Sequence, residues 1–335
     1  MGVKGSADRS NATSRLVAIR PGALGDTLLA LPTLAWVLRQ RASVHITLVA
    51  RADVLPLARA AGLADETYTY DDPTWSALFA ARPVPAGLAG EVCAGANVVA
   101  WLADDDGDIR RNLLAFGAWA AVAAPGKPRP TARAHIALLL ARSLAAFGCQ
   151  PPRSIEELMA RFPPLDPGAE TQGRVARWLC ERALDSERLV AVHPGSGGAA
   201  KRWPPHQFAA LMDRLAATGA TPLLIEGPQD GEVARDTLAA RMFPHDDRQH
   251  AARDLPIADL AALLARCAAY AGNDSGVTHL AALVGCPTLA IFGPTNPAVW
   301  RPLGPRVTTI RSSSRSVADV PLDEVWDALS PLIGG

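Results

Sequence analysis

The sequence has no excess of charge of either sign, since its 33 Lys and Arg residues balance its 33 Asp and Glu residues over 335 positions. A neutral chain lacks the global positive field with which proteins coat nucleic acid or an anionic membrane, so no nucleic-acid partner is expected. The five cysteines contain no CxxC pair, which indicates reduced thiols and a cytoplasmic location.

Long apolar runs are also missing. The first 15 residues are polar and lack the apolar segment of a secretory signal. No apolar stretch reaches the roughly 20 residues of a membrane span, so any contact with a membrane is expected to be peripheral.

Several catalytic signatures are absent. The sequence has no HExxH, no GxSxG and no Walker A loop, and the turn at 20–26 lacks the GxGxxG spacing of a dinucleotide fingerprint. Its histidines and cysteines do not show metal-ligand spacing, and the acidic run at 104–108 lacks the spacing of an EF-hand. No metal and no cofactor are therefore expected.

The patterns that are present predict an α/β protein. An apolar run at 16–19, a helical pattern from Asp26 and a second apolar run at 44–49 form a βαβ unit, which implies a parallel sheet covered by helices. The same rhythm restarts after a proline-rich segment at 149–168, which is typical of a linker. We therefore expect two domains, residues 1–165 and 166–335.

Asp26 stands where the first strand gives way to a helix, the place where open parallel sheets bind ligands. It is either a helix N-cap or a carboxylate that accepts a proton from a substrate hydroxyl. The local sequence leaves both interpretations open.

Two loops of the second half suit an anion. The glycine-rich turn after residues 189–192 contains Ser196 and Gly197 and leads to Lys201, although a solvated surface turn is the alternative. Around Ser275 the chain opens a helix whose positive end would face a phosphate. Glu232 either bonds ribose hydroxyls or complements its own helix dipole.

Taken together, four segments resemble glycosyltransferase family 9, the ADP-heptose:lipopolysaccharide heptosyltransferases. They are PGALGD at 21–26, VHPGSGGAAKRWP at 192–204, EGPQDGEVA at 226–234 and NDSGVTHLAALVGCPTLAIFGPTNP at 273–297. The resemblance implies a GT-B architecture, in which two Rossmann-like domains face each other across a cleft. Residues 1–165 would bind the acceptor and residues 166–335 the nucleotide-sugar, and the terminal helix either stays with the second domain or packs back on the first.

The resemblance also assigns roles by position. Asp26 matches the catalytic aspartate, and Lys201 matches the lysine that stabilises the leaving diphosphate. With the glycine-rich turn included, the expected donor-binding residues are Ser196, Gly197, Lys201, Glu232, Asp274, Ser275, Gly276 and His279.

The expected function is an inverting, metal-independent transfer of a heptose-like sugar from an ADP-sugar to a glycan or glycolipid acceptor of the lipopolysaccharide-core type. The enzyme would be cytoplasmic, with a peripheral contact at the inner face of the cytoplasmic membrane. Two alternatives stay open: a nucleotide-sugar 2-epimerase with the GT-B fold, and a non-catalytic nucleotide- or glycan-binding protein on the same scaffold.

Overall fold

The computed structural model describes residues 15–84, 87–129, 131–242 and 251–333. The chain divides into two units between Phe162 and Pro163, three residues before the boundary expected from the sequence. Leu165 already belongs to the second unit, because its N–H donates to the carbonyl of Leu283. The proline-rich segment therefore closes the first unit and opens the second.

The first unit is a five-stranded parallel sheet with strand order β3-β2-β1-β4-β5. Its strands are β1 (Arg15–Arg20), β2 (His45–Ala50), β3 (Glu66–Thr69), β4 (Asn97–Ala100) and β5 (Ala120–Ala123). Its helices are α1 (Leu24–Leu28), α2 (Leu31–Gln40), α3 (Leu55–Ala60), α4 (Leu88–Cys93), α5 (Asp108–Ala115), α6 (Ile136–Ser143) and α7 (Ile155–Met159), with 3₁₀ helices at Pro73–Phe79 and Leu144–Phe147.

The second unit is a six-stranded parallel sheet with strand order β11-β10-β9-β6-β7-β8. Its strands are β6 (Leu189–His193), β7 (Thr221–Glu226), β8 (Ala251–Arg253), β9 (Ala269–Asn273), β10 (Thr288–Phe292) and β11 (Val307–Arg311). Its helices are α8 (Ala169–Glu181), α9 (Pro205–Ala217), α10 (Gly231–Ala239), α11 (Ile257–Leu264), α12 (Gly276–Leu283), α13 (Pro297–Trp300) and α14 (Leu322–Ile333), with 3₁₀ helices at Ser186–Arg188, Ala199–Lys201 and Val317–Asp319.

The strands form where the sequence places continuous apolar runs. Val17, Ala18 and Ile19 of β1 are fully buried, as expected for a strand covered by helices on both faces. The helical pattern after Asp26 is interrupted near Pro32: α1 ends at Leu28, and α2 begins at Leu31 with the proline in its first turn.

Each sheet reverses its strand order once, beside its first strand. In the first unit the reversal lies between β1 and β4, and in the second it lies between β6 and β9. Loops at such a reversal diverge to opposite faces of the sheet and leave a crevice at its carboxyl end, where ligands of doubly wound folds bind. The fold therefore provides two candidate ligand-binding positions, one in each unit.

The terminal helix α14 packs in the core of its own unit, since Val325 and Leu329 are buried in the same cluster as strands β9 and β10 and helix α9. Trp203 anchors that core: its Nε1 donates to the carbonyl of Val320, and its ring meets Phe208 edge to face at 5.0 Å. Among the described helices, none is both long and apolar enough to cross a membrane.

Candidate functional site

In the first unit, the loop after β1 presents the carboxylate of Asp26. Asp26 is the third residue of α1, and its Oδ2 accepts the backbone N–H of Ala23, which precedes the helix, at 3.2 Å. The interpretation of Asp26 as the N-cap is therefore corrected: Ala23 holds that position, and Asp26 reaches back to it. Gly22 allows this approach, because its φ is +139° and a Cβ there would lie 2.9 Å from Oδ2.

A buried arginine lies against the other carboxylate oxygen. Nη2 of Arg20 is 3.5 Å from Oδ1 of Asp26, and the side chains are 2% and 12% exposed respectively. Burial lowers the pKa of Arg20, and the negative charge of Asp26 opposes that shift. The carboxylate is thus held by its own loop and by Arg20, and 12% of the Asp26 side chain stays exposed.

In the second unit, the loops that follow β6 and β9 meet at the reversal of strand order. Nζ of Lys201 lies 2.8 Å from Oδ2 of Asp274, and the hydroxyl of Ser196 donates to the carbonyl of Asp274 at 2.9 Å. The carboxylate is nearly buried, with 7% exposed, whereas 38% of the lysine side chain is exposed. The structure therefore brings together three predicted residues from two segments that are distant in the sequence.

Asn273, which no local sequence pattern indicates as functional, fixes the two loops to each other. Its side chain is fully buried. Its Nδ2 donates to the carbonyl of Pro194 at 2.8 Å, and its Oδ1 accepts the backbone N–H of Trp203 at 2.9 Å. One amide thereby positions the chain on both sides of the glycine-rich turn that carries Ser196 and Lys201.

The first turn of α12 supplies the helix terminus that the sequence predicts. Ser275 is its N-cap, and its Oγ accepts the N–H of Thr278. Gly276 opens the helix, and His279 is buried one turn further on. At Gly197, a Cβ would meet no atom within 4 Å, so the backbone of the turn borders open space. Free N–H groups and the helix dipole favour an anion here.

His193, the last residue of β6, links three loops and was also missed. Its Nε2 lies 3.0 Å from Oδ2 of Asp230, and its Nδ1 lies 3.3 Å from Oγ of Ser275. Burial alone would raise the pKa of Asp230, but the hydrogen bond and the charge of His193 hold that pKa below its usual value. The sequence could have indicated this residue, because a histidine at the carboxyl end of a buried strand lies beside the ligand-binding crevice of such a sheet.

Glu232 is exposed in the first turn of α10, two residues after Asp230. The residue of this loop that reaches the strand ends is therefore Asp230, whose Oδ2 also accepts the N–H of Gly227. The assignment of Glu232 to ribose stays a prediction. In the described ranges, no group of three His, Cys, Asp or Glu side chains is arranged to hold a metal ion.

The match to a family model concerns the second unit. Residues 164–322 match the family model for glycosyltransferase family 9 (heptosyltransferase), which confirms the family resemblance for this part of the chain. Lipooligosaccharide heptosyltransferase 2 of Haemophilus influenzae is 34% identical over 136 residues, which are 39% of each chain. Lipopolysaccharide heptosyltransferase 2 of Salmonella typhimurium is 32% identical over 147 residues, 42% of this chain and 41% of that protein. This chain thus spans about two fifths of these curated relatives.

The solved structures cover both units. A glycosyltransferase of family 9 from Veillonella parvula has a TM-score of 0.78 at 18% identity over 96% of this chain and 97% of its own. E. coli ADP-heptose lps heptosyltransferase II has a TM-score of 0.71 at 19% identity, covering 95% and 98%. E. coli heptosyltransferase WaaC with ADP gives 0.66 at 14%, covering 93% and 98%. These similarities confirm the α/β fold of the GT-B class.

Proposed function

We propose that the protein is an inverting, metal-independent glycosyltransferase that moves a heptose-like sugar from an ADP-sugar to a glycan or glycolipid acceptor of the lipopolysaccharide-core type. The observation that carries the proposal is the cluster of Lys201, Asp274 and Ser196 beside the first turn of α12. It lies at the strand-order reversal of the unit that matches the family. A glycolipid acceptor would place the reaction in the cytoplasm, at the inner face of the cytoplasmic membrane.

The second unit has the chemistry needed to hold a leaving diphosphate. In sugar transfer, negative charge grows on the departing oxygen as the anomeric carbon becomes oxocarbenium-like. Ser275 caps the helix and Gly276 begins it, so the first turn offers N–H donors, and Lys201 adds a cation whose side chain is 38% exposed. Nζ of Lys201 neutralises Asp274, and we propose that it transfers to the diphosphate when the donor binds.

Asp26 is the proposed general base. Inversion at the anomeric carbon needs the acceptor hydroxyl to attack from the face opposite the leaving group, and its proton must go to a base. The carboxylate of Asp26 lies at the strand-order reversal of the first unit, is 12% exposed and is fixed by the N–H of Ala23. Binding of a nucleotide alone does not require such a group.

Adenine as the base of the donor is supported by the solved E. coli heptosyltransferase WaaC, which was determined with ADP. We expect ADP to stabilise the protein more than GDP or UDP does. A ligand present at 100 times its dissociation constant stabilises by about 2.7 kcal/mol, which a thermal shift resolves. Equal or larger shifts with GDP or UDP would contradict the adenine assignment.

Incubation with ADP-heptose then separates transfer from the alternatives. Release of ADP that depends on an added lipopolysaccharide-core acceptor supports the transferase. Conversion of the donor sugar without acceptor would instead favour the epimerase, and binding with neither reaction would favour a non-catalytic protein.

Activity is expected to survive EDTA. In this proposal Lys201 and the first turn of α12 carry the charge that a divalent cation carries in metal-dependent transferases. The measurement is ADP release before and after chelation, with a magnesium-dependent glycosyltransferase as the matched control. Loss of turnover that magnesium or manganese restores would contradict the assignment.

A further inference from the structure

Arg20 is a cation buried at the carboxyl end of β1, where packing alone does not require one. Its side chain is 2% exposed, and burial lowers its pKa against the opposing effect of Asp26. Buried ion pairs add little stability compared with apolar residues of similar volume, because both charges lose their hydration. The presence of a guanidinium here therefore needs a reason other than stability.

Its contacts converge on the loop of Asp26. Nε of Arg20 donates to the backbone carbonyl of Asp26 at 3.1 Å, and Nη2 lies 3.5 Å from that residue's Oδ1. The guanidinium thus restrains the aspartate at its backbone and at its carboxylate. Since the N–H of Ala23 holds Oδ2, both oxygens of the carboxylate have a fixed neighbour.

The guanidinium is itself held by the loop after β5. Nη2 of Arg20 donates to the carbonyl of Gly126 at 2.9 Å. A Cβ at Gly126 would collide with Nη1 of Arg20 and with the carbonyl of Trp101. Position 126 therefore accepts only glycine if the guanidinium is to keep its place.

We infer that Arg20 is a positioning residue: together with the loop at Gly126, it holds the Asp26 carboxylate in the orientation from which it accepts the acceptor's proton. The inference rests on the proposed function of Asp26. Proton transfer from a bound hydroxyl requires an aligned base, and a displacement of about 1 Å can cost 10²-fold in rate. The side chain of Arg20 needs no contact with the substrate to have this effect.

The test compares Arg20→Gln with Gly126→Ala in the full-length protein. Arg20→Gln removes the cation, whereas Gly126→Ala keeps both Arg20 and Asp26 in the sequence and forces the guanidinium and the carbonyl of Trp101 to move. We expect kcat to fall by about 10²-fold in Arg20→Gln and in the same direction in Gly126→Ala. The KM values for donor and acceptor should stay within about twofold, because the altered step is the chemical one. Arg20→Lys, which keeps the charge and most of the side-chain volume, serves if Arg20→Gln does not fold.

A double-mutant cycle separates positioning from a general loss of structure. If Arg20 acts through Asp26, adding Arg20→Gln to Asp26→Asn lowers kcat no further. Arg20→Lys keeps the charge but not the fork of donors, so its kcat is expected to lie between those of Arg20→Gln and the wild type.

Two results would overturn the inference. One is a kcat within about threefold of wild type in folded Arg20→Gln; the other is an equal loss of kcat from Arg20→Gln whether or not Asp26 is present. Failure of the proposed function looks different, because Asp26→Asn itself would then retain turnover. An inactive Asp26→Asn beside fully active Arg20→Gln and Gly126→Ala would reject the positioning role alone.

Discussion

The Asp26→Asn variant is expected to lose transfer activity by about 10²–10⁴-fold in kcat, the usual contribution of a general base. The amide oxygen can still accept the N–H of Ala23, so the first turn of α1 keeps its hydrogen bond. It cannot accept a proton from the acceptor hydroxyl. The affinity for ADP should not change, because the predicted donor residues all lie in the second unit. Kinetics on the acceptor and a thermal shift with ADP measure both effects.

This substitution also removes the carboxylate beside Arg20, so some stability is lost as well. Deleting one partner of a buried ion pair costs about 3–5 kcal/mol, and the cost here is expected to be smaller because Asp26 is partly exposed and 3.5 Å from the guanidinium. The assay must therefore be run well below the melting temperature of the variant.

Asn112→Ala is the matched control for that loss. Asn112 is fully buried in α5 and donates to the carbonyls of Ala77, Leu78 and Ala80. Its removal destabilises the same unit without changing the Asp26 loop. A normal kcat in Asn112→Ala beside a large loss in Asp26→Asn would support Asp26 as the general base. Equal kcat values in the two variants would contradict that role and leave the reaction without an identified base.

The second large effect is expected at Lys201. Lys201→Met should lower kcat by about 10²–10³-fold, the range found when a donor to a developing oxyanion is removed. It also leaves the nearly buried carboxylate of Asp274 without its cation, so the free energy of unfolding should decrease. The loss of kcat comes from the missing cation and the loss of stability from the uncompensated carboxylate, so a second substitution can separate them.

The double variant Lys201→Met with Asp274→Asn performs that separation. Replacing the carboxylate by an amide removes the uncompensated charge, so stability should recover towards that of the wild type. Turnover should not recover, because the cation that holds the diphosphate is still missing. Arg202→Met provides the matched loss of one charge at the next residue, where the guanidinium contacts the carbonyl of Ser196. Recovery of turnover in the double variant would show that Lys201 serves only to neutralise Asp274.

The sequence predicts the strands well where they are continuous apolar runs, as at Val17–Ile19 and in β6. It predicts less of the middle of the first unit, where β3 is only partly buried and β5 consists mostly of alanine. Such short segments carry little periodicity to separate strand from helix. Prediction of the fold class depends only on the clearest βαβ units, and the sequence pattern indicates these.

The site was predicted in part for a similar reason. Lys201, Asp274 and Ser275 lie in loops with glycines and good N-caps, which local sequence reveals. Arg20, His193 and Asn273 each form a hydrogen bond with a residue more than 70 positions away in the sequence. Their side chains meet those partners only because β1, β6 and β9 take particular places in their sheets, and no local pattern encodes a strand order.

The hydrogen bonds of His193 connect positions 37 and 82 residues apart in the chain. The loops they join follow β6, β7 and β9, which are neighbours only in the finished sheet. A partly folded second unit in which β9 has not paired with β6 would therefore have no cradle for a diphosphate. If the proposed donor site is right, nucleotide binding is linked to cooperative unfolding of the whole sheet. The ligand would slow the global unfolding of the unit, and its effect would not be limited to the motion of one surface loop.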